Sequence, residues 1–430
     1  MKRRSFLLGG IAAATGVASA APAGKGKSTG VAEKSKPVKL PTAVEAAAMP
    51  TEGLFLVRPH LQLLGEKSAA VVWMTKRPAT GFVEWSQDGG ASWRTAWDEK
   101  DGLRDAGSRT HIATLRGFDP ARPVTYRACS QETPHVFAYK TFFKGEVEKV
   151  ESTLAALVPA DGKVSFAMFN DVHCNHAVYS TLLEKIKKPV NFSVFAGDIM
   201  NSTDSEDCVV RNLLAPLSYV SDRTGAAMWY LRGNHETRGG YARQLRNHLA
   251  LPGGLFYGAV TLGAGRIAFI DSGEDKEDDH REYSGIVDFD RYIDSQIEWL
   301  RDEFASDAWR NAAFRIAVMH IPPPGFRKLD GGMWNGATKR MRRLAEVLKT
   351  SKVSLVMAAH LHSSANADPT KECPYPVVVG GGNQLFTPEQ RQKHPYRDAT
   401  LTRCTYDSRK LVVEQYTSDG AKLFERICQA

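Results

Sequence analysis

The chain has 430 residues, 43% hydrophobic and 24% charged, with a net charge of +8. Those values are ordinary for globular protein and exclude wholesale disorder, collagen and coiled coil; the length suits two or three domains with sizeable cores. The charge does not mark a nucleic-acid-binding face, because eight basic and two acidic residues fall in the first 50 positions, leaving only +2 for the other 380.

Residues 1–23 have the three parts of a secretory signal. Lys2-Arg3-Arg4 is a charged start, Phe6 to Val17 a short apolar run, and Ala18-Ser19-Ala20 a small-residue cleavage site. Arg3-Arg4-Ser5-Phe6-Leu7-Leu8 resembles a bacterial twin-arginine export signal, which implies the twin-arginine machinery as a partner and a periplasmic or extracellular destination. No further run is long and apolar enough for a membrane span. Residues 24–51, rich in Gly, Lys, Ala, Ser and Pro, read as a solvated linker. The six cysteines form no Cys-x-x-Cys pair, which argues against a zinc ribbon.

Residues 52–147 read as short strands between turns: 69–74, 81–86, 111–115, 124–128 and a closing run 136–143. Several strands without a helical period predict a small all-β sandwich. Phe118-Asp119-Pro120 followed by Thr125-Tyr126-Arg127 resembles the fibronectin-III-like domain that precedes the catalytic domain of purple acid phosphatases. That likeness implies Tyr126 as a structural corner tyrosine; the domain itself reads as packing that shapes the substrate cleft, with a carbohydrate or partner module as the alternative.

From 150 to 430 the rhythm changes. Buried-strand runs at 164–169, 192–196, 227–231, 267–270, 314–319 and 354–357 alternate with helical stretches, most clearly 178–188 and 291–304. Shorter strands follow at 377–379, 400–406 and 410–416. This alternation predicts an α/β core. Five of the strands end in Asp, Asn or His: Asp171-Val172-His173, Gly197-Asp198, Gly233-Asn234-His235-Glu236, His320 and His360-Leu361-His362. Strand carboxyl ends are where α/β sheets place ligands. Asp171, His173, Asp198, Asn234, His320, His360 and His362 form a nitrogen–oxygen set without thiolate, suited to Mn, Fe or Zn; seven ligands are too many for one tetrahedral ion and enough for two that share a carboxylate. Two such ions fit in-line attack on a phosphate ester.

The series Asp-x-His, Gly-Asp, Gly-Asn-His-Glu, His and His-x-His, in order over about 200 residues, resembles the calcineurin-like metallophosphoesterase superfamily. The resemblance implies a two-sheet αββα sandwich. It implies that Asp171, His173 and His362 hold a first ion, that Asn234, His320 and His360 hold a second, and that Asp198 bridges them. His235 would give a proton to the leaving oxygen or stabilise its charge. Ala359 stands where the last block usually opens with Gly. Asn201 stands where purple acid phosphatases carry a metal-ligating Tyr, and His173 where they usually have Gly, so no tyrosinate colour is expected.

Asn175 and Arg238 lie beside the motif blocks as candidate phosphate contacts. Glu236 reads as a structural hydrogen-bond partner. The acidic run Gly273–His280 reads as a solvated loop or a substrate lid, and Trp334-Asn335 as a loop able to stack on a leaving group. The expected activity is phosphomonoester hydrolysis, on a small-molecule or cell-surface substrate. A phosphodiesterase of the same fold is the alternative, with a non-catalytic metal-bound binding module behind it.

Overall fold

The computed structural model describes residues 42–326, 328–329, 332–333 and 338–430. The expected leader, residues 24–41 of the expected linker, and Trp334-Asn335 lie outside them. The described residues from 42 onward belong to one compact unit.

Two sheets face each other. In the first, Val164–Phe169, Phe192–Ala196 and Ala227–Leu231 run parallel, flanked on one side by the antiparallel strands Thr400–Tyr406, Lys410–Thr417 and Lys422–Gln429. In the second, Gly265–Ile270, Phe314–Met319, Leu355–Ala358 and Val377–Val379 run parallel, with Gly258–Leu262 and Ala365–Ala367 on the edges. The parallel strands read as continuous apolar runs because both of their faces are covered.

Between the sheets lie Phe166, Phe192, Trp229, Phe269 and Phe314, with the Trp229 and Phe269 rings stacked 4.0 Å apart. Outside the first sheet pack the helices Ala177–Lys185 and Ala215–Thr224. Outside the second pack Phe289–Ala305 and Lys339–Thr350. Asp288 caps Phe289–Ala305 by accepting the Arg291 N–H, and Ile293, Ile297 and Leu300 turn its apolar stripe inward. Burying such side chains contributes roughly 1.5–3 kcal/mol each. The layers are those of the expected αββα sandwich.

The β-rich region before it is built from strands between Phe55 and Leu154. This region and the linker before it differ from the sequence expectation, which also lacked the short strands Arg94–Trp97, Glu99–Lys100 and Leu103–Arg104. Phe55–Gly65 is an additional strand, which pairs with Ala227–Leu231 through Gln62 and Met228 and makes the first sheet continuous with the β-rich region. The run 136–143 is not one strand: the chain turns at Ala138-Tyr139, and Val124–Phe137 and Lys140–Leu154 form a long hairpin. The linker is not solvated throughout. Ala43–Ala48 is a helix closed by a Thr42/Glu45 capping box, and Val44 and Ala48 are buried against the first sheet's helices. Its apolar face is only two residues wide, too little to register as a period.

Tyr126 is buried in the β-rich region, opposite Trp85. All six cysteines carry free thiols. Among the described residues no helix is long and apolar enough to cross a membrane.

Candidate metal centre

The loops after five strands meet at one end of the sandwich. The Asp171 N–H donates to the Gly197 carbonyl (3.0 Å), His173 N–H to the Asp198 carbonyl (2.9 Å) and Ala359 N–H to the His320 carbonyl (2.9 Å). These contacts require near-zero side-chain volume at two glycines. A Cβ on Gly197, whose φ is 83°, would lie 2.5 Å from Gly233 N, and one on Gly233 would overlap the Asp198 carboxylate. The Gly of each motif block is therefore steric.

The backbone here is strained. Asp171, His173, Cys174, Asp198, His360 and His362 all have φ between 47° and 71°, six of the nine described non-glycine residues with positive φ. Each such residue costs on the order of 1–3 kcal/mol and persists only where its surroundings over-determine it.

Those turns aim the seven side chains at one another. Single ligand atoms of Asp171, His173, Asp198 and His362 lie within 4.8 Å of each other, as do those of Asp198, His320 and His360. Asp198 belongs to both groups. The Nε2 atoms of His173 and His362 are 3.0 Å apart. His362 Nε2 is 3.5 Å from Asp171 Oδ1, and His320 Nε2 is 3.3 Å from Asp198 Oδ2. Asn234 Oδ1 lies 3.1 Å from both His320 Nε2 and His360 Nδ1.

The surroundings fix which nitrogen faces inward. His320 Nδ1–H donates to the Ala196 carbonyl (2.8 Å) and His173 Nδ1–H to Asn201 Oδ1 (3.1 Å), so each Nε2 points into the site. His235 Nδ1–H donates to the Asn201 carbonyl (2.7 Å), placing its Nε2 3.9 Å from Asp198 Oδ2. Asn201, at the position of the absent tyrosine, thus orients two site histidines. Sequence reading missed this role because it depends on a fold back over 28 and 34 residues.

Electrostatics match a cation site. Burial pulls His173 down to about 4 and His360 to about 3, and lowers His362, so these imidazoles are neutral at pH 7. Burial pushes Asp171 up to about 7, and its Oδ1 is buried without a hydrogen-bond partner. Burial opposes the charge of His320 too, but the Asp198 carboxylate outweighs it and pushes His320 up to about 10. Burial likewise opposes the Asp198 charge, yet His320 and His235 hold that carboxyl well below its usual range. An orphaned buried carboxylate oxygen facing inward-turned imidazoles is the arrangement a bound cation would satisfy.

Glu236 is fully buried and accepts three backbone N–H groups, from Asp198 (2.9 Å), Met200 (2.9 Å) and Gly233 (2.7 Å). Gln296 locks the end of another strand, accepting Asp271 N–H (2.8 Å) and donating to the Asp271 carbonyl (2.7 Å).

The two candidate phosphate contacts are engaged by protein groups. Asn175 Nδ2 donates to the Asn383 carbonyl (2.7 Å). The Arg238 guanidinium is held by Glu274 (2.7 and 3.0 Å) and Asp275 (2.7 Å). The acidic run is correspondingly not a solvated loop. Glu274 is buried, bonded also to Thr237 and Tyr283, while Asp278 pairs with Arg340 (2.9 Å).

Residues 164–364 match the calcineurin-like phosphoesterase family model. No curated protein sequence matches the chain. Among solved structures, a purple acid phosphatase from yellow lupin (Lupinus luteus) seeds is similar at 14% identity and a TM-score of 0.59, over 86% of this chain and 73% of that one. PhoD is similar at 13% identity and 0.55, over 85% of this chain and 91% of that one. At such identities the two structures speak for the shared fold. The chain therefore carries a calcineurin-like metallophosphoesterase domain behind a β-rich region. The family that residues 164–364 match is one of metal-dependent phosphoester hydrolases.

Proposed function

We propose that the protein is an exported phosphomonoesterase with two divalent or transition-metal ions, Mn, Fe or Zn. The observation that carries this reading is Asp198. One carboxylate lies within ligand range of two separate His-containing groups, as two ions sharing a bridge would need. Asp171, His173 and His362 would complete the first group, and Asn234, His320 and His360 the second.

Such ions, when bound, supply an activated water and neutralise charge on phosphoryl oxygens. The protein's own part is orientation and proton handling. Asn201 and the Ala196 carbonyl hold the His173 and His320 rings so that their Nε2 atoms converge. Glu236 fixes the backbone on both sides of Asp198. His235, anchored through Nδ1, presents Nε2 beside Asp198 and delivers a proton to, or stabilises, the departing oxygen. The similarity to a purple acid phosphatase and to PhoD supports ester hydrolysis, and the twin-arginine-like leader supports export to the periplasm or beyond.

The test is turnover of p-nitrophenyl phosphate against bis-p-nitrophenyl phosphate by metal-replete protein, with His235→Ala as control. Preference for the monoester, lost in the variant, supports the reading. Preference for the diester would make it a phosphodiesterase, and turnover of neither would refute hydrolysis of simple esters.

A further inference from the structure

The hairpin of Val124–Phe137 and Lys140–Leu154 ends in a cluster of exposed apolar side chains. Val136, Phe137, Tyr139, Phe142 and Phe143 range from 40% exposed at Phe142 to fully exposed at Tyr139. Five large apolar groups exposed within eight residues of one hairpin are beyond ordinary scatter.

Their arrangement is specific. Cross-strand partners share a face, so His135, Phe137, Lys140 and Phe142 lie on one side, and Val136 and Phe143 on the other. On the first side Phe137 meets Phe142 edge-on at 6.0 Å, His135 stacks on Phe137 at 5.5 Å, and the Lys140 ammonium sits over Phe142 at 4.6 Å. Tyr139 stands at the turn. The tip is therefore a wedge, apolar on both faces and at its end.

Its charge is one-sided. Thr133 to Gly145 contains Lys140, Lys144 and no acidic residue. At the base, Glu132 is shared between Arg77 (2.8 Å) and Lys144 (3.6 Å), and Glu146 follows Gly145, so the uncompensated positive charge lies at the tip, on Lys140.

We propose that this tip inserts into an anionic lipid surface, with the aromatic side chains in the interfacial layer and Lys140 and Lys144 against the headgroups. A flat protein partner would cover one face of the wedge and leave the other wet, whereas a lipid layer surrounds both. Sheet extension by a second copy is disfavoured as well. The free edge of Lys140–Leu154 is broken at Gly145, where φ is 70°, a bulge of the kind that blunts strand pairing.

The test is co-sedimentation of the full chain with phosphatidylglycerol-containing vesicles and with pure phosphatidylcholine vesicles. The wild type is compared with a Phe137→Ser/Phe143→Ser variant and a Lys140→Glu/Lys144→Glu variant. All three share the same N-terminal residues, so differences between them report on the hairpin. Melting temperature and p-nitrophenyl phosphate turnover are followed in parallel, and both are expected to stay at wild-type values. The expected result is binding to the anionic vesicles that falls at least about tenfold in each variant, with the charge variant losing the preference for anionic lipid. Equal binding by wild type and the serine variant would overturn the proposal. So would a dimer, seen by sedimentation equilibrium, that the serine variant converts to monomer; that outcome would assign the tip to a second copy.

Discussion

The Nε2 atoms of His173 and His362 lie 3.0 Å apart across 189 residues of chain, each on a residue held at positive φ. Two inward-turned imidazoles so close, beside Asp171 and Asp198, are brought together at a conformational cost that a shared cation would offset. Replacing either histidine by Ala is therefore expected to lower bound metal from two ions per chain toward one, with turnover falling in step. Elemental analysis of the purified variants checks this, and two ions retained in both would contradict the first ligand group.

His235 differs from the ligands. Its Nδ1 is tied to the Asn201 carbonyl, and its Nε2 is 3.9 Å from Asp198. His235→Ala is expected to keep both ions but lose about 10²–10⁴ in kcat. The loss should be larger for an alkyl phosphate than for p-nitrophenyl phosphate, because a poorer leaving group needs the proton more. Steady-state kinetics on both esters decide it; equal losses would point to a purely structural histidine.

Metal binding should release protons. Ligation needs the carboxylate of Asp171 and the neutral form of His320. Burial holds Asp171 at about 7, and Asp198 holds His320 at about 10, so at neutral pH a share of the first and nearly all of the second carry a proton that ligation expels. Affinity therefore rises as pH rises. Adding Mn²⁺ to metal-free protein at pH 7 in weak buffer should acidify an indicator dye, and apparent affinity should increase between about pH 6 and pH 8. A pH-independent affinity over that window would contradict the assignment.

Glu236 offers a stability test. Its carboxylate accepts N–H groups from Asp198, Met200 and Gly233 inside the protein. Glu236→Ala strands three buried donors and is expected to cost about 3 kcal/mol or more. Urea unfolding of the metal-free protein measures this, and a cost under about 1 kcal/mol would show that water replaces the carboxylate.

Much of this architecture was legible in the residues, for identifiable reasons. Strands such as Val164–Phe169, Phe192–Ala196 and Phe314–Met319 are covered on both faces and so read as unbroken apolar runs. The strand Phe55–Gly65 was not legible. It carries His60 and Gln62, which are buried because they bond each other (3.1 Å) and Gln62 accepts the Ala250 N–H (2.7 Å); partners 188 residues away leave no local pattern. Lys339–Thr350 was hidden by its charge: Arg340 is buried only because Asp278 and Asp290 meet it. The motif residues at the site stood out by type and order, whereas Asn201, which only orients others, has no signature short of the fold. Arg238 looked like a phosphate contact from sequence, since nothing local shows that Glu274 and Asp275 would engage it.

The most direct test of the shared-carboxylate centre is stepwise Mn²⁺ titration of metal-stripped wild type and Asp198→Asn, following bound metal and p-nitrophenyl phosphate turnover together. Two ions per wild-type chain, with turnover appearing as the second binds and both lost in the variant, is the predicted result. Saturation at one ion, or turnover in Asp198→Asn equal to wild type, would contradict it.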